Sequence, residues 1–204
     1  MYDFSIPMAL VDYIPVVFFG IAALLLQRDL YNKMCKGAYA LFAAGTINVF
    51  CAGFLKATWK LLYAAGVCDF AALNSLFLPL QSMGFLLIGL GLVGMFVRKK
   101  CAAALAVPPV FSGTFVFIGM MVAGLGCLCA VLGILAAKLK KPAVIALFVL
   151  AFVGSLGMGY MSSHDSTSAL INWIEQGINT LSQGCLMAGV LLLHRAGLKD
   201  LALK

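Results

Sequence analysis

Apolar runs close to twenty residues long recur along the whole chain, separated by short clusters of charged residues. A helix rises 1.5 Å per residue, so each run is long enough to cross a hydrocarbon layer about 30 Å thick. Strands of a membrane barrel would instead read as short alternating segments, which are absent. Of the 204 residues, 64% are hydrophobic and 10% charged, against about a quarter charged in a soluble domain. Surface-to-volume scaling prevents one aqueous core of this size from hiding so much apolar surface. The sequence therefore predicts an all-α, polytopic membrane helical bundle.

The formal net charge of +7 does not point to nucleic acid. Basic residues sit between apolar runs, where the orientation rule for membrane helices places them, and no soluble basic face is left over. Partners are expected to be the lipid bilayer and a small polar solute, with no nucleic acid. Met1-Tyr2-Asp3 lacks a basic leader region and no lipidation motif is present, so no cleaved signal peptide is expected. Seven cysteines without a CxxC spacing read as small apolar packers.

Five spans are legible directly: Pro7 to Leu26, Gly37 to about Lys60, Phe70 to Val97, Pro142 to Met161, and Ala169 to His194. The stretch Cys101–Ala137 carries no charge and crosses once or twice. Four basic clusters, Arg28/Lys33/Lys36, Arg98/Lys99/Lys100, Lys138/Lys140/Lys141 and Arg195/Lys199/Lys204, fall on one side only if it crosses twice. Asp69, Ser162–Ser166 and Asp3 then fall on the other. Seven spans follow, with six as the fallback. The N-terminus is expected outside and the C-terminus in the cytoplasm of a cell-membrane protein. The turn within the doubtful stretch is expected near Gly119.

The chain also repeats itself. Ser82, Gly84, Leu86, Gly89 and Leu92 match Ser182, Gly184, Leu186, Gly189 and Leu192 at a spacing of one hundred residues. Two three-span units in the same orientation need an odd span between them. The expected order is thus a first unit over 1–97, a linker helix over 98–118, and a second unit with a cytoplasmic tail over 119–204, a 3+1+3 arrangement of parallel repeats. This organisation resembles the SWEET-type sugar facilitators, the PQ-loop proteins and the nicotinamide riboside transporters, in topology alone. SWEET-type facilitators carry prolines in the first two helices of each repeat; Pro15 and Pro142 fit such parts, but the second and fifth spans have none and no Pro-Gln motif occurs. No residue role is carried over. The last span has no lysine, which argues against a retinal protein.

Polar residues inside membrane helices are costly, at least about 2.5–3.5 kcal/mol for a charge at mid-bilayer, and so mark function or paired packing. The last span is the richest. Asn172, Glu175, Asn179 and Ser182 form one stripe at helical spacing, flanked by Gln176 and Gln183. Glu175 is expected about 9 Å inside the outer boundary and Gln183 near the midplane. Gln81 and Ser82 of the third span reach the same depth. Lys56 and Lys60 lie one turn apart beside Trp59 and Tyr63, either snorkelling in an aromatic belt or, for Lys56, turning inward to pair with Glu175. Asp12 is a third member of that group.

The substrate-binding set expected on this basis is Lys56, Gln81, Ser82, Asn172, Glu175, Asn179, Ser182 and Gln183, with no metal and no cofactor. No P-loop, GxSxG or HExxH pattern occurs, and one loop histidine, His164, with Asp165 makes a poor metal set. The leading expectation is a transporter or facilitator for a small polar solute, its site at the repeat interface. The alternatives are an intramembrane enzyme acting on a lipid or its headgroup, with Glu175, Asp165 and His164 as acid–base groups, and a membrane sensor or assembly subunit.

Overall fold

A computed structural model describes residues 4–96, 114–161 and 168–202. Those residues form helices α1 (Ile6–Val11), α2 (Tyr13–Leu30), α3 (Lys36–Ala64), α4 (Ala71–Ser75), α5 (Phe77–Phe96), α6 (Thr114–Lys138), α7 (Ala143–Met161) and α8 (Ala169–Arg195). Short 3-10 turns follow α2 and α8, at Tyr31–Lys33 and Leu198–Asp200. Among the described residues there is no strand.

Two of the helix breaks have one cause. Proline has no N–H to bond the carbonyl four residues back, and its ring crowds that carbonyl. Pro15 acts this way on Val11, where α1 stops, and Pro79 acts on Ser75, where α4 stops. α1–α2 and α4–α5 are therefore each one helical segment with a proline break a few residues in. Gly197 ends α8 with a left-handed φ of 87°, the conformation glycine adopts without steric penalty.

Four helical segments are long and apolar enough to cross a membrane: Ile6–Lys33, Lys36–Ala64, Ala71–Phe96 and Thr114–Lys138. α7 is shorter but apolar, and α8 is long enough at 27 residues but carries the polar stripe. Large apolar side chains such as Leu24, Phe115, Leu150 and Leu181 point away from the protein. This outward apolar surface fits a membrane-embedded helical bundle.

α6 corrects one expectation. The turn predicted near Gly119 is absent, because Gly119 lies within an unbroken helix that runs from Thr114 to Lys138. The segment has no proline and no charge before Lys138, so it spans as one helix instead of supplying half of a tight pair. The expected linker helix over 98–118 lies largely outside the described residues.

The six long helices close into a ring in the order α2, α3, α5, α6, α7, α8 and back to α2. Helices α3 and α5 touch backbone to backbone, since a Cβ at Gly45 would stand 2.6 Å from the Gly84 carbonyl oxygen. Helix directions follow from the contacts. α2 and α3 are antiparallel, with Gly53 on Val16 and Gln27 bonded to Thr46. α5 and α6 are parallel: the Phe85 backbone faces Gly124, and further along both chains Cys127 Sγ donates to the Gly89 carbonyl at 3.5 Å. α2 and α8 are also parallel, joined at Met8–Gln176, Phe18–Gly184 and Asp29–His194.

One consequence is that α5 ends and α6 begins at opposite ends of the ring. Another is that Arg28, Lys33, Lys138, Lys140, Arg195 and Lys199 gather at a single end. There Lys33 Nζ donates to the Lys199 carbonyl at 2.9 Å and also to that of Leu201. Between the two ends, one half of the ring is filled by an apolar core that includes Leu26, Phe42, Ile88, Leu128, Leu132 and Leu186.

Candidate functional site

The other half of the ring is hollow. Two adjoining cavities of about 60 Å³ each share Val16, Gly53, Phe77, Met158 and Asn179 as walls. The outer one adds Asp12, Lys56, Lys60, Glu175 and Gln176. The deeper one adds Gln81, Gln183 and the Phe19 and Phe85 rings. Those two rings meet edge to face, 6.2 Å between centroids, and separate the cavity from the apolar core. A water molecule needs roughly 10–15 Å³ by this measure, so each compartment holds several.

Both proline breaks open onto this space. Asp12 is the residue between α1 and α2, and Phe77 is the first of α5. The break that Pro15 imposes thus sets a carboxylate inside the bundle, and the break from Pro79 sets an aromatic face opposite it. Irregular backbone at membrane depth is tolerated where it is enclosed by protein or lines a cavity.

Asp12 Oδ2 lies 2.7 Å from Lys60 Nζ, with both side chains almost wholly enclosed. Lys60 is therefore a buried ion-pair partner and does not snorkel outward. Lys56, one turn earlier, also turns inward, the second of its two expected placements, but the direct pair with Glu175 is not formed. The Lys56 ammonium sits 4.1 Å above the Phe77 ring, a favourable cation–π contact. Among the described residues Glu175 has no ion-pair contact, and its Oε1 is enclosed without a hydrogen bond. The two groups line one cavity from different helices. Asp12 takes Lys60, and Lys56 and Glu175 face one another across the space without a direct ion-pair contact.

The cavity-facing side of α8 is Glu175, Gln176, Asn179 and Gln183, not the stripe predicted through Asn172 and Ser182. Gln176 Nε2 donates to the Met8 carbonyl at 2.8 Å, which leaves its Oε1 without a partner. Gln183 Oε1 is likewise enclosed and unpartnered. The stripe is thus rotated by a fraction of a turn, and its edges belong to packing. Ser182 Oγ donates to the Ala151 carbonyl at 2.6 Å and lies 2.8 Å from Ser155 Oγ, which binds α8 to α7. Asn172 is buried and donates to the Ser168 carbonyl at 3.0 Å. Ser82 is fully buried beside, but not in, the cavity.

Of the predicted set, Lys56, Gln81, Glu175, Asn179 and Gln183 come together, and Ser82, Asn172 and Ser182 do not. Phe77 and Met158 were not legible as site residues, because apolar side chains in apolar helices carry no signal of their own. His164 and Asp165 lie outside the described residues.

The outer rim is aromatic. Trp59 Nε1 donates to Asp69 Oδ1 at 2.9 Å, and the Phe4 ring stands edge-on to Trp59 and Tyr63. At the far end of the ring, Asp29 is buried and its Oδ2 lies 2.7 Å from His194 Nδ1, with Arg28 alongside. His194, the end of the last predicted span, is thus a specific link from α8 to α2, and Asp29 is a residue the sequence reading did not single out. Among the described residues, no three His, Cys, Asp or Glu side chains cluster as a metal site would require.

No protein-family model, no curated protein and no solved structure matches this chain.

Proposed function

We propose that the chain is a membrane transporter or facilitator for a small polar solute. It crosses the membrane seven times, as two parallel three-helix units joined by one further crossing, with its basic end in the cytoplasm and its N-terminus outside. The observation that carries this reading is the cavity, enclosed by the ring and lined by two ammonium and two carboxylate groups together with Gln176, Asn179, Gln81 and Gln183. Packing alone gives no reason to set two charged groups without a direct ion-pair contact around a polar cleft, since desolvating them is costly.

The number of crossings is supported by helix direction. α5 and α6 run parallel, as a seven-crossing order with one crossing between the two units requires of them. Collecting the basic residues at one end then satisfies the positive-inside rule. The two-unit reading is supported by packing that recurs. Gly91 lies on Phe42 between α5 and α3, as Gly189 lies on Phe148 between α8 and α7. Gly84 meets Gly45, as Ser182 meets Ala151. These contacts recur 98 residues apart on α5 and α8 and 106 apart on α3 and α7, so Gly84, not Ser82, stands opposite Ser182, and the spacing of one hundred read from the sequence is not the register of the packing. The two-fold relation also pairs the α5–α6 seam with the α8–α2 seam, both parallel.

The site then lies on the outer side of the Phe19–Phe85 pair, among residues of both units. An enzymatic reading is less well served, because among the described residues no Ser, Thr, Cys or His lines the cavity. The test is uptake of labelled small polar solutes into liposomes holding the purified protein. Saturable uptake above protein-free liposomes is the expected result. Product formation from lipid in detergent, with no saturable uptake, would overturn the reading.

A further inference from the structure

The two sides of the outer cavity differ chemically. On α8, Glu175 Oε1 and Gln176 Oε1 are enclosed acceptors without donors. On α3, the Lys56 ammonium faces the Phe77 ring and no carboxylate within ion-pair distance. Asp12 and Lys60 are already matched to each other at 2.7 Å. What remains is one anionic, acceptor-rich wall and one cationic, donor-rich wall around a single space.

An occupant that satisfies both walls carries an ammonium and a carboxylate in one small molecule. We infer that the outer cavity takes a small amino-carboxylate zwitterion, its ammonium on Glu175 and Gln176 and its carboxylate on Lys56. This rests on the transport reading and deepens it. A neutral polyol would leave both charges unmatched, and a lone cation or anion would match one and leave the other, at the cost of an unpaired charge in a water-poor site. The volume sets the size. Two compartments of about 60 Å³ hold roughly eight to twelve water-sized groups, which limits the solute to about that many non-hydrogen atoms. Gln183 Oε1 lies two turns deeper on α8 with the same unsatisfied acceptor character. It offers the ammonium a second position next to the Phe19–Phe85 pair.

The experiment uses the full chain reconstituted in liposomes. Flux of labelled glycine, β-alanine and 4-aminobutyrate, which differ in the separation of their charges, is compared with that of acetate, methylamine and glycerol. At least one zwitterion is expected to show saturable flux, with acetate and methylamine, alone or mixed, competing at least about tenfold more weakly because each forms only one charged contact. Saturable flux of acetate, methylamine or glycerol with none for any zwitterion would overturn the zwitterion and leave transport standing. No saturable flux of any of the six would overturn both. Two variants then assign the ends. Glu175→Gln is expected to weaken zwitterion competition while leaving acetate competition intact, and Lys56→Met to do the reverse with methylamine. Equal loss against every competitor in both variants would overturn the assignment of ends. Where a variant fails to assemble, the wild-type competition series still decides the substrate class.

Discussion

Lys60 Nζ lies 2.7 Å from the Asp12 carboxylate, and this ion pair ties the outer part of α3 to the proline break between α1 and α2. Both side chains are about nine-tenths enclosed, so removing one partner leaves the other without compensation. Lys60→Met and Asp12→Asn are each expected to destabilise the folded protein by roughly 3–5 kcal/mol, and the double variant by less than either. Equilibrium unfolding in detergent checks this. Additive losses would mean that the two charges are solvated independently.

At Gly45 the close approach of α3 and α5 leaves no space for a side chain, since a Cβ would stand 2.6 Å from the Gly84 carbonyl oxygen and 2.7 Å from the Ile88 nitrogen. Gly45→Ala is expected to cost about 1–3 kcal/mol, as overpacking does. The same measurement on a wild-type-like variant elsewhere makes the comparison internal.

Gly119 supplies that comparison. A Cβ there would meet nothing within 4 Å, and the residue lies inside α6. Gly119→Ala is expected to be neutral or to stabilise by up to about 0.5–1 kcal/mol through helix propensity. A clear loss of stability would restore the turn that the helix excludes.

Cysteines placed singly at Lys140, Lys199 and Gly66, in a chain whose seven native cysteines are replaced, report sidedness in intact cells. Positions 140 and 199 are expected to react from the same side and position 66 from the opposite one. Labelling of 140 and 66 from one side would reduce the crossings to six.

Asp29 is buried, with one oxygen 2.7 Å from His194 Nδ1. Asp29→Asn keeps the shape and removes the charge. A loss of about 1.5–3 kcal/mol is expected, the usual worth of a hydrogen bond to a charged group, again from equilibrium unfolding. Little or no change would show that α2 and α8 are held together at this end by apolar packing alone.

Much of the fold was legible because its signals are local. Apolar length located most of the helices, and charge between them located their ends. The break at Pro15 belongs to the same class, since its effect falls four residues back along the same chain. Gly119 misled because glycine marks a turn in water but is an ordinary residue in a membrane helix, where nothing in the sequence separates a turn from a long span. Within the site, Glu175 and Asn179 were readable from helical spacing. Ser182 shares that spacing, and only its contact with Ala151 and Ser155 shows that it belongs to the seam with α7. The choice of Lys60 over Lys56 as a charge partner depended on where Pro15 puts Asp12. That is a relation between two helices and has no trace in either one alone.

The glycine contacts between α3 and α5 have a mechanical consequence. With Gly45 against Gly84 and Gly91 against Phe42 and the Ala38 carbonyl, no layer of side chains lies between the two backbones to shear, so the pair behaves as one beam. α2 meets α3 differently, through Val16 on Gly53, Phe50 on Gly20 and the Gln27–Thr46 bond, contacts that re-form after small rotations. On the transport reading proposed above, a change in which end of the cavity is reachable is expected to pivot α2 and its proline break around a fixed α3–α5 strut. Spin labels on the strut are then expected to keep their separation, and a label pair from α2 to α5 to change it.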